Sequence, residues 1–128
     1  MRKTFGVNKH RQAAHKVGER RIGANEIPLL LELSRSEEPE ERLTAATYMC
    51  PCHVRRRVEE IWAALYRLLE DPDPRVRRQA WYTLEDGGRP DDPALEAILE
   101  RALASEADSS VRSMIERVAG PRQNQALA

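Results

Sequence analysis

Two cysteines and a histidine stand within four residues, in the string CPCH at positions 50–53. Thiols and an imidazole are the ligands that a soft metal such as Zn²⁺ or Cu⁺ prefers. A stable zinc site wants four ligands, however, and the two other histidines of the chain lie in its first 15 residues. The spacing also differs from the CxxC and CxxCH motifs of redox and haem-binding proteins, because one residue separates the cysteines. The candidate metal ligands are therefore Cys50, Cys52 and His53.

Two other functions compete with metal binding at this motif. In the structural one, the proline ends a helix and a cysteine packs as a small apolar residue. In the redox one, the string is an oxidation sensor whose thiolate the following arginines stabilise. The structural function is the simplest, and we expect no cofactor.

Arginines crowd at two predicted helix starts. Because a helix start already carries partial positive charge, several guanidinium groups placed there repel one another. This choice indicates an anionic partner or a nearby acidic surface. The predicted binding residues are Arg55, Arg56, Arg57, Arg75, Arg77, Arg78 and Tyr82.

The charge of the chain is divided unevenly. Residues 1–24 contain seven basic residues and one acidic residue, a net charge of +6, and because the whole chain is neutral the remainder carries −6. Low hydrophobicity and three glycines predict a partly flexible basic arm. Such an arm either binds phosphates of a nucleic acid, lies over the acidic remainder, or is a solvated tail.

A 35-residue period organises the rest of the sequence. Arg42, Arg77 and Arg112 occupy one column of it, and each follows an acidic residue and a proline or serine that predict a helix start. Apolar residues recur every three or four positions before and after these starts. Each period therefore predicts an antiparallel pair of helices, with the last helix ending near Gly120. The aligned arginines are expected to form a ladder that pairs with acidic groups near the turns between helices.

The string from Asp71 to Gly88, with its acidic cap, the Val76-Arg77 pair, small Ala80 and terminal Leu84, resembles the second helix of a HEAT repeat. The resemblance is to the short bacterial kind, including the repeats first noted in phycobilin lyases. It implies an all-α, HEAT-like α-solenoid of about three antiparallel helix pairs with a basic N-terminal arm. The predicted organisation is an arm at residues 1–24, a repeat domain at 25–120 and a C-terminal tail at 121–128.

HEAT arrays mostly serve as binding surfaces, so the resemblance implies a protein-interaction scaffold with an unknown protein partner. The sequence has no Gly-rich phosphate loop, HExxH or GxSxG motif, and we expect no enzymatic activity. It also has no apolar run long enough to span a bilayer, which predicts a cytoplasmic protein without membrane association, as a monomer or weak oligomer. Nucleic-acid binding through the arm and the arginine clusters, and thiol or metal sensing at the CPCH string, remain alternatives.

Overall fold

The protein was analysed as a computed structural model, which describes residues 21–50, 53–54, 57–87 and 90–127, with side chains up to residue 120. The described residues form a short 3₁₀ turn and six α-helices, and they contain no strand. The helices are α1 (Ile27–Leu33), α2 (Pro39–Tyr48), α3 (Glu59–Leu68), α4 (Pro74–Asp86), α5 (Pro93–Ser105) and α6 (Ser109–Leu127). The three predicted helix pairs are thereby confirmed.

The second helix of each pair begins where the acidic residue and the following proline or serine predict it. Pro39, Pro74 and Ser109 are the first residues of α2, α4 and α6. The side chain of Asp73 accepts the backbone N–H of Arg75 at 2.8 Å, and this satisfies one of the donors that every helix start leaves unpaired. Proline suits the first helical position because its φ angle is already fixed near the helical value.

The helix pairs stack side by side and share one core. Helix α4 packs against α2 on one side and α6 on the other, and α1 packs against α3. The apolar stripes of both helices in each pair point into the same interior. The core includes Leu30, Leu33, Ala45, Ile61, Leu65, Leu68, Val76, Ala80, Trp81, Leu84, Leu95, Leu99, Val111, Ile115 and Val118.

The structure adds detail at both ends of the array. Ile22, which belongs to the predicted arm, is buried in the core, and its backbone N–H donates to the carbonyl of His53 at 2.9 Å. The backbone of α6 continues to Leu127, past its predicted end near Gly120. A proline inside a helix removes one backbone hydrogen bond and crowds the preceding turn, which disfavours a helix without forbidding it. Residues 1–20 of the arm lie outside the described residues.

None of the described helices combines the length and the apolar character needed to cross a membrane.

Arginine–carboxylate pairs connect successive repeats at the turns between helices. Arg42 donates from Nε and Nη2 to the carboxylate of Asp71, at 2.7 and 3.1 Å. One repeat later, Arg77 donates in the same way to Glu106, at 2.7 and 2.8 Å. Each contact spans 29 residues, and we call the two pairs the arginine ladder. The predicted ladder is confirmed for these two arginines.

Each ladder arginine also binds the turn of its own repeat. Arg42 donates from Nη1 to the carbonyls of Ser36 and Glu37, and Arg77 donates to those of Asp71 and Pro72. One guanidinium therefore joins two turns, and it is the two-pronged geometry of arginine that permits this.

Arg112, the third aligned arginine, contacts its own repeat. It also donates from Nη1 to carbonyls of that repeat. Its Nε lies 3.5 Å from Glu116, in the same helix, and the side chain is 44% exposed. The aligned arginine thus connects successive repeats in the first two cases and lies at the surface in the third.

We predict that Arg77→Ala destabilises the protein by about 2–4 kcal/mol, because the variant leaves the nearly buried Glu106 carboxylate and two turn carbonyls without their donor. The matched Arg112→Ala variant should cost less than about 1 kcal/mol, since exposed pairs contribute little. Urea denaturation of both variants checks this. Equal losses would show that the inter-repeat contact adds no stability.

The ladder also predicts how stability depends on pH. The hydrogen bonds from Arg77 are the main reason that the pKa of Glu106 is lowered from its ordinary 4.5. A carboxyl whose pKa is lower in the folded state contributes stability above its unfolded pKa and loses it as the pH falls through the folded value. The stability difference between the wild type and Glu106→Gln should therefore be constant above about pH 5.5 and shrink below about pH 4.5. Urea denaturation between pH 7 and pH 3 measures this, with Glu116→Gln as a control that should change little. A difference that stays constant down to pH 3 would contradict the assignment.

Candidate functional site

The outward side of α4 carries two exposed residues of the predicted binding set. Arg78 and Tyr82 lie four residues apart, so they share one face of the helix. Tyr82 is 45% exposed and is the one exposed large hydrophobic residue among those described. Arg78 is also exposed, and it makes no hydrogen bond or ion pair within the described part of the chain. We call these two residues the second-helix face.

Smaller side chains stand at the equivalent positions of the neighbouring helices. Leu43 and Ser113 lie 35 residues before and after Arg78, and Thr47 and Arg117 lie 35 residues before and after Tyr82. Helices α2 and α6 carry these four residues and pack on either side of α4. Arg117 lies 3.6 Å from Glu85 and adds a second guanidinium near this face.

Two other residues of α4, Arg77 and Gln79, make contacts within the protein. Arg77 belongs to the arginine ladder, where its hydrogen bonds to Glu106 raise its pKa. Gln79 donates to the hydroxyl of Thr83 at 3.1 Å, and that hydroxyl donates to the carbonyl of Ala46 in the preceding repeat at 2.8 Å. Thr83 is buried, so this chain of hydrogen bonds fixes α4 against α2.

The remaining described arginines of the two clusters are also paired. Arg75 contacts Glu40 at 2.6 Å and Asp73 at 3.0 Å. Its hydrogen bonds to Asp73 are the first cause of the lowered pKa of that carboxyl. Arg57 pairs with Glu59 at 3.0 Å and lies over the ring of Trp62, 5.3 Å from its centroid. The acidic surface that the clusters were predicted to face is thus supplied, for these residues, by the chain itself. Arg55 and Arg56 lie outside the described residues.

The aromatic residues of α3 form a cluster behind Arg57. Trp62 and Tyr66 are in an edge-to-face arrangement with centroids 6.1 Å apart. The hydroxyl of Tyr66 donates to Asp92 at 2.7 Å, across the loop that leads to α5. Burial, followed by this hydrogen bond, raises the pKa of Tyr66 well above its usual value. The cluster therefore connects the second and third repeats by packing and one charge-assisted bond.

Cys50 and His53, the described residues of the CPCH string, lie between α2 and α3. Cys50 is 4% exposed, and its thiol donates to Asp86 at 3.4 Å. His53 is buried as well, with its ring 5.1 Å from that of Tyr48. The carbonyl of Cys50 accepts the backbone N–H groups of His53 and Val54, at 2.8 and 3.0 Å. These contacts give the string a structural role, since they close the turn and hold it against the C-terminal end of α4.

The metal prediction needs a third ligand at this turn. Among the described residues, no group of three His, Cys, Asp or Glu side chains could hold a metal ion. Cys52 lies outside the described residues, so a site formed by Cys50, Cys52 and His53 stays a prediction. A buried thiol is also a poor redox sensor, because oxidants and alkylating agents react with accessible thiolates.

Sequence reasoning overlooked several residues that connect the repeats. Asp71 and Glu106 stand six residues before Arg77 and Arg112, respectively. This repeated spacing is the signal that could have identified them. The first repeat has Ser36 at the same place. Asp86 and Thr83 gave no comparable signal, because their partners lie 36 and 37 residues away in the chain.

We predict that Cys50 resists alkylation in the native protein. In a Cys52→Ser variant, which leaves one thiol, iodoacetamide should modify Cys50 at least a hundredfold more slowly in buffer than in denaturing urea, because reaction requires local opening of the turn. Mass spectrometry over time measures both rates. Rapid modification in buffer would instead support the oxidation-sensor hypothesis.

The repeats as a whole match a known protein family. A family model described as HEAT repeats matches residues 27–120, which is most of the chain and includes all six helices up to the predicted end of the last one. No curated protein and no solved structure matches this chain. The stacked helix pairs, their shared core and the ladder between their turns agree with that match, and the chain belongs to the HEAT-repeat family.

Proposed function

We propose that this chain is a non-enzymatic protein-interaction module, and that its second-helix face binds an acidic segment of a partner protein. HEAT repeats generally act as protein-interaction scaffolds, which supports the proposal that this chain is an interaction module. The proposed binding of an acidic segment rests on Tyr82 and Arg78, which lie one turn apart on α4. Tyr82 is the exposed large hydrophobic residue of the described chain, and Arg78 is an arginine without a described partner.

The chemistry of these residues fits a protein partner. Tyrosine and arginine are enriched among the residues that dominate binding energy, because each offers a large contact area together with a polar group. An unpaired guanidinium binds a carboxylate in a two-pronged manner. The partner segment should therefore present at least one Asp or Glu beside an apolar side chain that covers the ring of Tyr82.

Nucleic-acid binding receives no comparable support from the described residues. Arg57, Arg75 and Arg77 have carboxylate partners in the chain, so the two clusters present fewer uncompensated charges than the sequence indicates. Residues 1–20 of the arm, which would supply most of the other phosphate contacts, lie outside the described residues, and the role of the arm stays a prediction.

The finer family assignment is part of the same proposal. The 35-residue period and the string from Asp71 to Gly88 support the resemblance to the short bacterial repeats first noted in phycobilin lyases. We also place the protein in the cytoplasm, as a monomer or weak oligomer.

The test replaces Tyr82 with a photo-crosslinking phenylalanine derivative in the cell of origin. A matched protein carries the same group at Ala97, an exposed residue of α5 on the first-helix side. We expect position 82 to crosslink a discrete partner that position 97 does not, since only the former lies on the proposed face. With the partner purified, Arg78→Ala and Tyr82→Ala should each weaken binding by about tenfold. Arg101→Ala, which removes an exposed arginine paired with Glu70, should leave affinity unchanged. Equal crosslinking at both positions, or full affinity in the Tyr82 variant, would refute the proposal.

A further inference from the structure

We propose that Arg35 and Arg67, which come from successive repeats, form a binding site for a phosphate group. The site lies at the C-terminal ends of α1 and α3, so it is separate from the second-helix face and does not rest on the proposed function. Arg35 follows α1 directly, and Arg67 belongs to the last turn of α3.

A buried serine brings the two arginines together. Arg67 donates from Nη2 to the hydroxyl of Ser34 at 2.8 Å, across 33 residues of sequence. Ser34 is 2% exposed, and its hydroxyl donates to the carbonyl of Leu31 at 2.6 Å, which fixes its orientation. Arg35 is the next residue, so the guanidinium group of Arg67 lies beside the stretch of backbone from which the side chain of Arg35 extends. The hydrogen bond holds Arg67 before any ligand arrives.

Neither arginine has a counter-ion within the described part of the chain. Seven other arginines there contact a carboxylate: Arg42, Arg57, Arg75, Arg77, Arg101, Arg112 and Arg117. Arg35 and Arg67 make no such contact, although both are exposed.

Three carboxylates that lie within four residues of this pair in the sequence already have partners. Asp71 accepts two bonds from Arg42 and the backbone N–H of Asp73. Glu70, three residues after Arg67, is held by two bonds from Arg101, at 2.9 and 3.0 Å. Glu32, one turn before Arg35, has a partner of its own. The two positive charges are therefore left uncompensated.

The electrostatic environment of Arg67 favours an anion beside it. Its pKa is lowered, first by partial burial and then by the positive charge of Arg35, and the nearby Asp71 offsets this only in part. An anion between the two guanidinium groups would relieve both effects. Two adjacent cations match the charge of a phosphate dianion, and guanidinium groups bind phosphate oxygens in pairs.

Side-chain NMR of the full chain tests the proposal. The Nε–Hε signals of the arginines are followed at pH 8 while inorganic phosphate is added, with sodium chloride at equal ionic strength as the blank. We expect the signals of Arg35 and Arg67 to shift and saturate in the millimolar range, whereas those of Arg42 and Arg77, already paired, stay in place. Phosphoserine in a second titration distinguishes the source: tighter binding than inorganic phosphate assigns the site to a phosphorylated protein, and weaker binding assigns it to free phosphate.

Two variants with the same change in charge complete the experiment. Arg35→Gln removes a side chain that contributes no described contact, so folding should be unaffected, and phosphate affinity should fall about fivefold. Arg101→Gln, at a paired and exposed arginine, should leave the affinity as in the wild type. The proposal is wrong if the Arg35 and Arg67 signals do not saturate, if chloride shifts them equally, or if both variants weaken binding to the same extent.

Discussion

A pair of amphipathic helices of this length cannot bury its apolar faces alone, and the rest of the structure depends on this constraint. Each pair must share its interior with the next, so the chain needs a fixed offset between successive repeats. Apolar packing is not directional and tolerates sliding. The arginine ladder is directional: Arg42 and Arg77 each bind the turn of their own repeat and a carboxylate of the next. These contacts set the register in which the shared core closes.

The same constraint decides which charges remain for function. The described part of the chain is rich in arginine, but most of these side chains connect helices, repeats or helix starts to carboxylates of the same chain. Composition therefore overstates how basic the surface is. The arginines without a described carboxylate partner include Arg78, beside Tyr82 on α4, and Arg35 and Arg67, at the ends of α1 and α3. Both proposals rest on these residues because no described carboxylate compensates their charge.

Two residues of the CPCH string, Cys50 and His53, make structural contacts although their residue types could also do chemistry. The position of the string between repeats places Cys50 and His53 in the interior, where the backbone carbonyl of His53 accepts a hydrogen bond from Ile22. The N-terminal segment is thus attached to the core through this turn. A thiol that donates to Asp86 contributes to packing of α2 against α4, which accounts for a cysteine at this place without any reaction.

The sequence by itself determined the helix pairs, their period and the starts of their second helices, because apolar spacing and capping residues act over a few neighbouring positions. It also predicted the ladder, since one residue type recurs every 35 positions. It did not determine that α6 passes Gly120, that Ile22 joins the core, or which arginines stay unpaired. Those outcomes depend on contacts between residues about 30 positions apart, such as Arg77 with Glu106 and Arg67 with Ser34. Only the stacked structure decided them, because the distance between such side chains is fixed by how the repeats pack and not by any local pattern.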